Sequence, residues 1–175
     1  MPLTETVATD LQTITTGLGR AQTITTGLDK EAERITAQAA GAGFTAIAAA
    51  MSQIRTAIGE LHARLHAATD AVRDTAASVD HARNEASPHE VITALSPAVD
   101  RTDTAHREIT AALGKADDTQ RLVSQALRGG NPGPMLSLLN ELKQTLAGER
   151  QHLEQARHHL TEAIAQARQL GESGK

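Results

Sequence analysis

Arg128-Gly129-Gly130-Asn131-Pro132-Gly133-Pro134 is the stretch that decides how this chain folds. The glycines permit positive φ, while each proline removes an N–H donor and restricts the residue before it, so no helix runs through these positions. The stretch must be a helix stop, a turn and a helix start. A weaker version of the same punctuation, Gly41-Ala42-Gly43-Phe44, stands 88 residues earlier, counted from Gly129 back to Gly41.

On the C-terminal side of the turn, Leu139, Leu142, Leu146, Leu153, Leu160 and Ile164 line one helical stripe, with Glu149 at one core-phase position. Steps of three and four keep such residues on one face of a helix. On the N-terminal side, Ser87-Pro88-His89-Glu90 matches a capping box with proline at the first helical position. The helix it starts has the loosest pattern, reading Ile92, Leu95, Val99, Ile109, Leu113, Val123 and Leu127, with polar Thr102 and Gln120 at core phase. Pro97 is expected to kink this helix or split off a short first piece, because interior proline costs about 3 kcal/mol.

Around the weaker turn, a helix beginning near Phe44 carries Ile47, Met51, Ile54, Ile58, Leu61, Leu65, Ala68 and Val72, weakening past Val79. The helix before it carries Val7, Leu11, Ile14, Leu18, Ala21, Thr25, Leu28, Ala32, Ile35 and Ala39. Within it, Gln-Thr-Ile-Thr-Thr-Gly-Leu occurs at residues 12–18 and again at 22–28. The β-branched residues and Gly17, Gly19 and Gly27 weaken a helix there, so a two-strand hairpin competes. Helix is the reading adopted, because the stripe continues in register into residues 29–35.

The 88-residue offset also superposes Met51 on Leu139, Ile54 on Leu142, Ile58 on Leu146, Leu65 on Leu153 and Val72 on Leu160. Turn and core register coincide. The chain therefore reads as all-α, with two long antiparallel helical hairpins of one design, residues 1–86 and 87–170, and a disordered tail at 171–175. Each hairpin would leave an apolar seam exposed, so the two should join in a coiled-coil-like arrangement or four-helix bundle, or pair with a partner.

Composition narrows the function. One Phe, no Trp and no Tyr leave no platforms for base stacking, and a net charge of −4 gives no pull toward phosphate. Nucleic acid is not an expected partner. The absence of Cys removes disulfides, thiolate metal sites and a Cys nucleophile. No basic region followed by an apolar core stands at the N-terminus, so the expectation is a cytoplasmic protein, or one exported without a cleavable signal peptide. Residues 37–51, the most apolar window, are shorter than the roughly 20 residues of a membrane span.

Of eight His residues, His62 and His66 share one helix face at the spacing zinc ligands use, but the run lacks the Glu of H-E-x-x-H. His152, His158 and His159 lie at mixed phases. The carboxylates, among them Glu31, Glu33, Asp117, Asp118 and the i,i+4 spacings Asp70–Asp74 and Glu154–His158, read as solvated faces and helix-surface pairs. No catalytic residue, metal site or cofactor is assigned, and no enzyme is expected.

The residues from Arg128 through Pro134 and on to Leu142, flanked by Ala-rich heptads, resemble the N-terminal helical hairpins of actinobacterial secreted toxins. In style the chain is similar to the WXG-type helical hairpins of type VII secretion, whose tip carries Trp-x-Gly. Here Trp is absent, Phe44 beside Gly43 is the nearest substitute, and no Tyr supplies the usual export motif. The resemblance implies a targeting or partner-pairing module. The expected function is therefore a non-enzymatic interaction protein that pairs with itself, as a dimer or higher, or with another helical protein. Its contacts would lie in the seams and at the tips, Gly41, Gly43, Phe44, Gly129, Gly130, Pro132 and Pro134. A cytosolic scaffold using the seams end to end and a membrane-active protein inserting residues 41–51 are the alternatives.

Overall fold

The computed structural model describes residues 2–173. Four helices, α1 (Pro2–Gly41), α2 (Thr45–Arg83), α3 (Pro88–Ala126) and α4 (Gly133–Ser173), follow one another through short links. Each rises about 60 Å, at 1.5 Å per residue. α1 packs on α2 and α4, and α3 packs on α2 and α4, which closes an antiparallel four-helix bundle around a single core. The apolar seams of both hairpins are consumed inside this core.

The duplicated segment of α1 is helical throughout, and Thr chemistry explains how. The hydroxyls of Thr13, Thr15, Thr16, Thr23, Thr25 and Thr26 each donate to the carbonyl four residues earlier, at 2.8–3.1 Å. The same self-satisfying bond lets Thr25, Thr75, Thr102 and Thr119 occupy buried positions, where they fill the volume of Val without an orphaned hydroxyl. Every residue of the expected α1 stripe, from Val7 to Ala39, is buried.

The offset of 88 holds in three dimensions for α2 and α4, whereas between α1 and α3 the buried Leu11, Leu18, Thr25 and Ala32 fall on the half-buried Val99, His106, Leu113 and Gln120. Helices α2 and α4 begin 88 residues apart, at Thr45 and Gly133. Met51, Ile54, Ile58, Leu61, Leu65, Ala68, Val72, Thr75 and Val79 are buried, and so are their counterparts Leu139, Leu142, Leu146, Glu149, Leu153, Ala156, Leu160, Ala163 and Ala167. Helix α3 departs from its expected phase. Val91, Ala98, Ala112 and Thr119 are buried, whereas Ile92, Val99, Leu113 and Gln120 are only half-buried. Small side chains turned inward let α3 lie close to its neighbours, while the larger ones cover the flank.

Pro97 does not split α3, which is continuous. Pro97 and Thr93 both sit on the exposed face, so the carbonyl left without its helical donor is on the water side. The capping box is present: Ser87 Oγ accepts from the Glu90 N–H at 3.3 Å, and the Glu90 carboxylate accepts from the Ser87 N–H at 3.2 Å. Residues 171–173, expected in a disordered tail, continue α4, with Gly171 inside its last turn and no proline to stop it. Residues 174–175 lie outside the described residues.

The two tips are different turns. After α1 the chain forms a Schellman motif, in which the Phe44 N–H donates to the Ala39 carbonyl at 2.8 Å and the Gly43 N–H to that of Ala40 at 3.2 Å. The left-handed residue is Gly43, φ +76°, rather than Gly41. After α3 it is Gly129, φ +91°, with the Gly130 N–H donating to the Leu127 carbonyl at 2.9 Å. Gly43→Ala and Gly129→Ala are each expected to cost about 1–2 kcal/mol of stability, the penalty of a left-handed L-residue. Gly130→Ala should cost less, because Gly130 has no positive φ and a methyl there meets only the Leu127 carbonyl at 3.4 Å. Thermal melts of the three variants check this order.

Candidate functional site

The antiparallel topology brings both tips to one end of the bundle. α1 and α3 finish there, and α2 and α4 start there. Residues 35–54 contain no Asp, Glu, Lys or Arg, and residues 122–140 contain only Arg128. The opposite end is rich in charge, with Glu5, Asp80, Arg83, Glu85 and Glu90 around the α2–α3 link. The bundle thus has one nearly neutral end and one charged end.

Residues 40–46 are all exposed at the neutral end, and Phe44 is 59% exposed. Phe44 occupies the N-cap of α2 without a side-chain cap hydrogen bond. Ser, Thr, Asp or Asn at such a position satisfies a free helix N–H and is worth about 1 kcal/mol; Ser87 does this for α3. The single Phe of the chain therefore supplies neither a cap nor much core burial where it stands. Of the other expected tip residues, Gly41, Gly43, Gly129, Gly130 and Pro134 are exposed and Pro132 is half-buried. The Pro132 carbonyl accepts from the Leu136 N–H at 3.0 Å, so this proline opens α4.

A second feature lies between α1 and α4. Glu149, at core phase, is 7% exposed. A methyl on Gly17 would overlap its carboxylate, so the absent Cβ is the notch that admits it. A cleft of about 470 Å³, lined by Thr13, Thr16, Gly17, Arg20, Gln144, Thr145, Gly148 and Glu149, opens beside it. Burial pushes the Glu149 carboxyl above the ordinary carboxylate range, opposed by the hydrogen bond and charge of His152, whose Nδ1 lies 3.2 Å from Oε2. The core phase of Glu149 was legible in the heptad; its meeting with Gly17 depends on two helices remote in sequence.

Many of the carboxylates and cations singled out in the sequence are engaged in ion pairs on the helix surfaces. Glu31 holds Arg34, Glu33 holds Arg55, Asp118 holds Arg121, and Asp117 holds Lys143. Asp70 pairs with Arg73. His158 meets Glu162 at 3.2 Å rather than Glu154, which is taken by His106 of α3 at the same distance. His62 and His66 stack on one another with centroids 6.5 Å apart. Among the described residues, no three His, Asp or Glu side chains gather as metal ligands, and no helix is long and apolar enough to cross a membrane. The cleft between α2 and α3, about 630 Å³, is lined by Glu60, Arg64, Glu108 and Lys115, in which Glu60 pairs with Lys115 and Arg64 with Glu108.

Comparison with known proteins places similarity in the second hairpin. Residues 86–172, which take in α3, its capping box, the turn and α4, match a family of unknown function, DUF6244. No curated protein and no solved structure matches the chain.

The two glycines of the duplicated motif have opposite surroundings. A methyl at Gly27 meets only Leu138, at 3.9 Å. Gly27→Ala is expected to raise stability by up to about 1 kcal/mol through helix propensity. Gly17→Ala should forfeit that gain and drive the Glu149 carboxylate into water, moving its pKa back down toward the ordinary range. Thermal melts and carboxyl titration by NMR check the pair.

Proposed function

We propose that this protein is a non-enzymatic interaction module that works through the neutral end of its bundle, pairing with a second copy or with a helical protein such as the helical domain of a secreted effector. The observation that carries the reading is Phe44: a large apolar side chain held in water at an N-cap, where it costs the isolated fold a cap and gains it little burial. Departures of this kind from local preference concentrate at functional positions. Interface centres are depleted of charge and enriched in aromatic residues, which is the composition of this end. The cleft between α2 and α3 is crossed by two ion pairs, Glu60 with Lys115 and Arg64 with Glu108.

The seams are closed within the bundle, so pairing falls to the tips. Because one end is neutral and the other charged, self-association through the tips joins like to like and closes at two copies. That favours a dimer over the filament of an end-to-end scaffold. A role beside a secretion system accords with the hairpin form and rests on that form alone.

Phe44→Asp is expected to abolish self-association or capture of a helical partner, measured by sedimentation and pull-down, while leaving helicity unchanged by circular dichroism. A wild-type chain that is strictly monomeric and captures no helical protein would sink the proposal. Phe44-dependent binding to phospholipid vesicles in place of protein would instead favour the membrane-active alternative.

A further inference from the structure

The 88-residue offset sets the α2–α3 seam beside the α1–α4 seam, and their differences are informative. The equivalents of Glu149 and Gly17 are Leu61 and Ala105, 88 residues away from each, and both are fully buried. At these positions the α2–α3 seam carries two buried aliphatic residues. The other carries a carboxylate seated in a glycine notch. The α2–α3 seam is also tied by the short link from Arg83 to Pro88 and its capping box. No link joins α1 to α4.

We propose that the α1–α4 seam is where this bundle opens, with α1 the helix that releases and the ionisation of Glu149 setting how readily it does so. An ionised carboxylate taken out of water is costly unless fully paired. The partner on its own helix is His152 of α4, which meets one of its two oxygens. Among the described residues of α1, the charged one lining the cleft is Arg20, which is itself bonded to Glu141 at 2.8 Å. No residue of α2 or α3 lines this cleft. Elsewhere along the same seam, Asp10 and His159 form a half-buried pair at 2.7 Å. Helix α1 also carries the Thr-rich repeat with Gly17, Gly19 and Gly27, the weakest helix-forming sequence of the four.

The direction with pH follows from burial. A carboxyl whose proton is held more tightly in the folded state adds stability that is fully present below its unfolded pKa. That stability is lost as pH rises through the folded pKa. The seam therefore tightens on acidification and loosens toward neutrality, the reverse of the usual salt-bridged carboxylate.

Hydrogen exchange of the full chain, with α2 and α3 amides as reference at each pH, tests this. At about pH 8, α1 amides around Gly17 should exchange faster than the reference; toward about pH 5 the gap should narrow, by at most about tenfold per pH unit for one titrating carboxyl. Glu149→Gln should remove the pH response. Gly17→Ala combined with Glu149→Leu, which installs the Ala and Leu found at these positions in the other seam, should close the gap at both pH values and covers the case in which the Gln variant folds poorly. Equal protection of all four helices near pH 8 would overturn the proposal. So would a pH response that survives Glu149→Gln, including one that disappears only with His159→Gln and so belongs to the Asp10–His159 pair.

Discussion

Everything in this molecule depends on four apolar stripes that must all face one narrow axis. With one Phe and no Trp or Tyr, the interior is filled by Leu, Ile, Val and Ala, and the helices can approach closely only if small residues alternate with large ones. Ala98, Ala105, Ala112 and Ala116 on α3 meet that requirement, and buried Thr serves as a polar substitute for Val. The interior is therefore permissive toward β-branched residues that helices ordinarily disfavour, because tertiary burial outweighs their propensity cost.

Three positions stand against this economy. Phe44 and, at the charged end, Leu170 are large apolar groups kept in water, and Glu149 is a carboxyl group kept out of it. Phe44 sits at the end where the chain carries almost no charge, and Glu149 on the seam that no loop ties together. An exposed apolar end and an imperfectly sealed seam are both costs to the isolated bundle, which is why each is read as serving contact or movement rather than stability.

Much of the fold was legible because its signals are local and repeated. The stripe of α1 emerged without error despite its Thr and Gly content, since step-three and step-four spacing continued through the duplicated motif into an unambiguous helix. Phase failed chiefly on α3, where Ile92, Val99 and Leu113 look like core and the adjacent smaller or polar residues are buried instead; on α2 the expected Ile47 is half-buried. Ranking residues by hydrophobicity misleads there, because a crowded axis selects for size as well as for apolarity. The tips were recognised, and the structure makes Gly43 the left-handed residue of the first, since the Schellman closure takes two residues beyond the last helical one.

By itself the sequence determined four helices, their approximate ends, their antiparallel order and most of what is buried, because turn chemistry and helical period act over a few residues. The tertiary structure alone decided the rotation of α3, the gathering of both tips at one neutral end, and the seating of Glu149 against Gly17. Those depend on how far each helix turns about its own axis and on contacts across more than a hundred residues of chain, and no local spacing encodes either.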